Sequence, residues 1–178
     1  GKTAASKADR IASATKRTIT EKMEQDPSFY RQFSEMLAET IRDYREKRIS
    51  EKDYLKTVVD LAARVARRDH GRDMPESIKG DTDAQAVFGV LEPILKEING
   101  GVEDTVTADV AQSIIGIVKD HHIADVWSNE MAQNNMRNAI DDYFFDVVRD
   151  EKGIDIPLDL LDDIELRIMD IARARFPG

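Results

Sequence analysis

Arginine and amide side chains at helical spacing are the groups in this sequence with the most chemistry to offer. Arg64, Arg67, Arg68 and Arg72 recur three or four residues apart, on one face of a helix and its exit. Such a stripe can meet an anion, either a phosphate backbone or an acidic partner. It also fits an ordinary solvated face, with Asp60, Arg64 and Arg68 paired at i, i+4. Asn134, Asn135, Arg137 and Asn138 surround Met136 in a second polar cluster. Asparagine is a poor helix-interior residue, so the cluster predicts specific hydrogen bonds, to neighbouring helices first and otherwise to a partner.

The other chemical readings are weaker. Gly1-Lys2-Thr3 spells the end of a phosphate-binding loop, but the glycine-rich turn and strand that such a cradle needs are missing, so the tripeptide reads as coincidence. His121 and His122, with Asp120 and Asp125 near, are adjacent and point about 100° apart on a helix, which does not suit joint chelation. They fit a polar helix end, with imidazoles near the negative pole of the dipole. Asp141-Asp142, Asp159 and Asp162-Asp163 lack the nearby lysine that a two-metal nuclease site would want. Asp162 and Asp163 fall near the start of a helix, where negative charge is favourable. Asp141 and Asp142 are expected to face water or pair with Arg137. Trp127, the single tryptophan, is expected to plug the core or staple a helix entrance.

These side chains need elements to hold them, and the periodicity predicts helices throughout. A first helix is expected over 6–25. Asp26-Pro27 then opens a second, to about Lys47, because Asp caps and Pro suits the first helical position. Ser50 with Asp53 resembles a capping box for a third helix, with Gly71 as its stop. Residues 71–81 mix Gly, Pro and charge and read as a linker. A fourth helix over about 83–99 carries Pro93, which should kink or split it, and Asn99-Gly100-Gly101 ends it. Asp109–Asp120 reads as a short helix, although Ile114–Val118 is also compatible with a strand. A long helix over about 128–150, stopped by Gly153, and a last one over about 158–175 complete the set. The fold class predicted is all-α, an irregular bundle of about seven helices with no convincing sheet, as one domain over 1–178 with a possible lobe boundary at 71–81.

Composition agrees. Of 178 residues, 41% are hydrophobic and 34% charged, with only 6% aromatic and 14 Gly plus Pro, which disfavours a sandwich or barrel. The absence of cysteine excludes disulfides and thiolate metal sites and is compatible with an intracellular setting. No apolar run approaches the roughly 18 residues of a membrane span, and the first residues lack a signal-peptide core. The sequence reads as a piece of something longer. Charge is uneven: residues 1–80 hold 18 Lys/Arg against 14 Asp/Glu, and residues 81–178 hold 8 against 21. The acidic half would repel nucleic acid, so any DNA contact is expected in the first half.

Two stretches carry a resemblance. Trp127-Ser128-Asn129, followed by Asn134 through Asp146 (NNMRNAIDDYFFD), is similar to the end of the R subunits of type I restriction enzymes. There a tryptophan precedes a helix reading close to N-x-M-R-N-x-I-D-D-x-x-F-D. Asp26 to Ser34 (DPSFYRQFS), Tyr44 to Ser50 (YREKRIS) and Tyr54-Leu55 resemble the segment after the motor domains of the same subunits. The resemblance covers about residues 15–176 and is weakest over 72–106.

It implies a helical domain that closes a subunit built from a nuclease and two ATP-driven motor domains. That domain would dock the motor on the methyltransferase–specificity core, in the bacterial or archaeal cytoplasm and with no membrane partner. The family's catalytic and ATP-binding motifs have no counterpart here, so no catalytic, cofactor or metal residue is expected in this stretch. ATP and Mg would serve the parent subunit, an ATP-dependent deoxyribonuclease. Trp127, Asn135, Met136, Arg137, Asn138, Asp141 and Asp142 are the motif residues, with an implied structural or assembly role. The alternative expectation is a module that touches the DNA backbone through Arg64, Arg67, Arg68 and Arg72.

Overall fold

Side-chain oxygens set most of the helix starts. The computed structural model describes residues 3–98 and 100–178. Among them seven α-helices form: α1 (Ala4–Lys22), α2 (Pro27–Arg45), α3 (Glu51–Arg67), α4 (Thr82–Leu95), α5 (Asp104–His121), α6 (Glu130–Tyr143) and α7 (Leu158–Arg175), with no strand. Thr3 caps α1 at the Ser6 amide, 3.0 Å away, and Ser50 caps α3 at the Asp53 amide, 3.1 Å away. Asp81 and Asn129 do the same for α4 and α6 through Ala84 and Ala132, at 3.0 and 3.1 Å. Each bond satisfies an amide donor that the helix itself leaves open.

The chain divides into two compact units, residues 1–23 with 27–73 and residues 24–26 with 74–178. In the first, α1 packs along α3 and, less extensively, along α2. Ala8, Ala12, Thr15 and Ile19 form the buried stripe of α1. Its small members let α1 approach closely, while α2 and α3 supply the bulk through Phe29, Tyr30, Phe33, Tyr54 and Leu61. In the second unit α4 is buried almost all round, from Ala84 to Phe88 and again at Val90, Leu91 and Leu95. It is the central post on which α5 and α7 pack, with α6 lying against α5 and α7.

Several local expectations are corrected. α3 ends at Arg67 on a left-handed Arg68 (φ 55), not on Gly71. Such a conformation costs a non-glycine residue about 1 kcal/mol. It is compensated here because the Arg68 guanidinium lies 5.0 Å from the Phe29 ring and 5.8 Å from that of Tyr30. Gly71 (φ 77) instead shapes the following turn, where a Cβ would come within 2.6 Å of Arg64 Nη2. The stretch 71–81 is not all connector, since it contains a short 3-10 turn, Glu76–Ile78, whose Ile78 is fully buried.

α4 runs through Pro93 unbroken, because the proline falls in its last turn. Only the bond to the carbonyl one turn back is forfeited there. The expected Asn99 stop lies outside the described residues. α5 begins at Asp104 rather than Asp109 and is helical through Ile114–Val118, with no strand. Thr107, Ala108, Val110 and Ala111 extend the same buried face. The long helix is α only to Tyr143 and then widens into a π-turn, Phe144–Arg149. Ala132, Met136, Ile140, Phe144 and Val148 are buried at a strict four-residue interval. A 3.6-residue helix would rotate that stripe away from the core, and a wider turn returns it. No described helix is long and apolar enough to cross a membrane.

Candidate functional site

The arginine stripe on α3 is engaged with rings and turns of its own unit. Arg64 sits 4.9 Å over the Phe33 ring, and Arg68 covers Phe29 and Tyr30. Both are half-buried, while Arg67 and Arg72 are exposed. Arg67 approaches Asp69 at 3.9 Å, too long and too solvated to hold it firmly. The four side chains therefore do not form one flat array. Two are stacking elements of the core rim, and two point outward.

α6 presents a different surface. Met136 and Ile140 are fully buried, whereas Asn134, Asn135, Arg137, Asn138 and Asp142 are all exposed. The expectation of buried interhelix bonding by the asparagines is thus corrected. Their spacing turns them away from the stripe that Met136 and Ile140 bury, and one of their bonds is local, Arg137 Nη1 donating to Asn134 Oδ1 at 3.2 Å. Met131, 74% exposed, continues this face. The result is an outward strip of amides, one cation, one carboxylate and one flexible apolar side chain, a composition suited to a partner's surface.

Asp141 faces inward instead. It lies beside Glu165 of α7, which is only 7% exposed. Burial, then the hydrogen bond with Asp141, then the charges of Asp141 and Asp162 push Glu165 up to about 8, against a smaller opposite pull from Arg137. The shift favours the protonated form of the Glu165 carboxyl, the form that can share a hydrogen bond with Asp141. Sequence reading missed Glu165, although its place in the α7 stripe between Leu161 and Ile168 was the available signal.

Trp127 is half-buried in a 3-10 turn, Val126–Ser128, ahead of α6. Its Nε1–H donates to the Phe176 carbonyl at 2.7 Å, and Arg173 lies 5.2 Å over its ring. It fastens the segment after α7 to the entrance of α6. His121 ends α5 and holds the Ile117 carbonyl through Nδ1 at 2.9 Å, so that nitrogen carries the proton. His122 leans on Phe176, 6.0 Å between ring centres. Asp159 is in the first turn of α7, Asp162 is exposed, and Asp163 pairs with Arg167 at 3.0 Å. Among the described residues no three His, Asp or Glu side chains gather as a metal would require. Gly1 and Lys2 lie outside the described residues, and Thr3 is the α1 cap.

A trough between α1 and α2 was not legible from motifs at all. Two adjoining cavities of about 320 and about 290 Å³ share Lys16, Ile41 and Arg45. Tyr44 and Tyr54, stacked at 4.4 Å, close one end. The Tyr54 hydroxyl donates to Asp9 at 2.7 Å, and burial together with that carboxylate pushes the phenol up to about 12.

Residues 4–145 match the family model of the C-terminal region of type I restriction enzyme HindI endonuclease subunit-like proteins. Comparison with curated proteins and with solved structures returned no match.

Proposed function

Because the chain belongs to the family of C-terminal domains of type I restriction enzyme HindI endonuclease subunit-like proteins, we propose that it is an assembly domain. It docks an ATP-driven motor and nuclease subunit on the methyltransferase–specificity core in the cytoplasm. Catalysis, ATP and Mg belong to other parts of the parent subunit. The observation that carries this reading is the outward face of α6. Apart from Asp141, which turns toward Glu165, the polar side chains of the motif stretch shared with R subunits, Asn134, Asn135, Arg137, Asn138 and Asp142, are exposed, while its apolar Met136 and Ile140 are buried. The fold uses the apolar half and leaves the polar half for a partner.

The test is retention of the purified chain on an assembled methyltransferase–specificity complex, with and without DNA. Retention without DNA is expected. Asn134→Ala, Asn135→Ala and Asn138→Ala together should weaken it while shifting stability by less than about 1 kcal/mol, since exposed substitutions cost little. Retention unchanged by the triple substitution removes α6 from the interface, and no retention in either condition removes the docking reading.

A second reading draws on the positive balance of the first unit, 17 Lys/Arg against 11 Asp/Glu. The exposed Arg67 and Arg72, with Arg64 and Arg68 behind them, would contact the DNA backbone. Affinity for duplex DNA would then fall with salt at a slope of about −0.9 per phosphate met. Weak or salt-insensitive binding excludes it.

A further inference from the structure

We propose that the α1/α2 trough of the first unit receives an acidic amphipathic helix from a partner subunit. This rests on the docking reading for the nature of its partner, and it names the surface and chemistry that reading leaves open. Ile19 and Leu37 form the buried floor, with Ile41 and Ala38 on the wall. Lys16 on α1 and Arg45 on α2 both line each of the two adjoining cavities, so the two cations flank the same stretch of apolar floor. Both are exposed, and no ion pair is formed by either among the described residues.

An apolar trough between two helices is the shape that a third helix fills, laying its leucine-like side chains into the floor. The wall from Ser34 to Arg45 would be about 17 Å long, or roughly three turns. The free cations fix the sign of the occupant, because carboxylates flanking its apolar stripe would meet Lys16 and Arg45. A basic helix would meet two like charges instead. Asp9, held by Tyr54, sets the polarity at the other end, where the occupant needs a neutral residue. A nucleic acid strand is less well served. Its two rings are stacked on one another at one end, and the floor between the cations is aliphatic, so bases find no aromatic floor.

The experiment uses the full chain and two fluorescein-labelled helical peptides of about four turns. Both carry Leu at i, i+3, i+4 and i+7; one flanks them with Glu, the other with Lys. Anisotropy should show the Glu peptide binding at least about tenfold more tightly than the Lys peptide. Lys16→Glu with Arg45→Glu should reverse that preference, with an unchanged circular dichroism spectrum because both side chains are exposed. Equal binding of the two peptides, or a preference that survives the double substitution, overturns the proposal.

Two further arms identify other occupants, and a positive result in either overturns it too. One is binding of a duplex oligonucleotide that the double substitution abolishes. The other is self-association of the chain in sedimentation that the same substitution abolishes. If the core complex retains the wild-type and doubly substituted chains equally, docking stands and the trough assignment falls.

Discussion

Glu165 sits on the inner face of α7 with a second carboxyl, Asp141, beside it, and its proton is what makes that tolerable. The ordinary value of 4.5 applies to the unfolded chain, and the folded value is raised to about 8. The folded state therefore binds a proton that the unfolded state releases. This contribution to stability is fully present below about pH 4.5 and is lost as pH rises through about 8. The melting temperature is expected to fall between about pH 6 and about pH 9, read by calorimetry. Glu165→Gln keeps a donor for Asp141 without the ionisation. It should flatten that profile and raise the melting temperature near pH 9 by about 3 °C, or about 1 kcal/mol. A wild-type melting temperature that does not fall over this range would sink the assignment. In the sequence Glu165 looks like one more surface charge in an acidic segment. Helical phase alone placed it inward, and residue type argued the other way.

Arg175 ties one element to two others. At 11% side-chain exposure it donates to Asp83 Oδ1 at 2.6 Å, to Thr82 Oγ1 at 2.7 Å and to the Gln25 carbonyl at 2.9 Å. It thus locks the last turn of α7 to the first turn of α4 and to the residue 25 backbone, all within the second unit. Arg175→Ala leaves the nearby acceptors unsatisfied and should cost about 3 kcal/mol in denaturant unfolding. Arg175→Lys should recover only a minor part, because one ammonium cannot reproduce a three-way fork. Full recovery by Lys would mean that charge alone matters.

Elements of this kind were read from sequence where the apolar period was clear, as along α7, and where a cap joined it, as at Ser50, whereas the Asp81 cap of α4 was read as the end of a linker. They were misread where tertiary contact chose the outcome. Arg68 takes a glycine's conformation because two rings receive its guanidinium. Pro93 is harmless because it falls in the last turn of α4. The π-turn exists because a four-residue stripe must keep facing the core, a demand that no local propensity records. The α1/α2 trough was invisible for the same reason, since Lys16 and Arg45 are far apart in sequence and ordinary in type.

Across the whole molecule two separate apolar cores accompany two opposite charge balances. The first unit carries a positive excess, while the second holds 9 Lys/Arg against 24 Asp/Glu. Each core should fail by itself. Leu61→Ala, at a 3% exposed position of the first unit, should cost about 2–5 kcal/mol. Hydrogen exchange should then show lost protection over α1 to α3, with α4 to α7 unchanged. Loss of protection spread evenly over all seven helices would show one cooperative core instead.

The Trp127 fastening has an optical meaning. The chain has one tryptophan and four tyrosines, and Tyr30, Tyr44 and Tyr54 fall in the first unit. Indole emission therefore comes from a single ring, bonded to the Phe176 carbonyl under the Arg173 cation. Its colour and quenching report whether residues 173–178 remain seated, and phenol emission excited at shorter wavelength reports mostly on α2 and α3. The protein comes with two built-in chromophore channels, one for each unit, and its partial unfolding can be followed by eye of the spectrometer without a label.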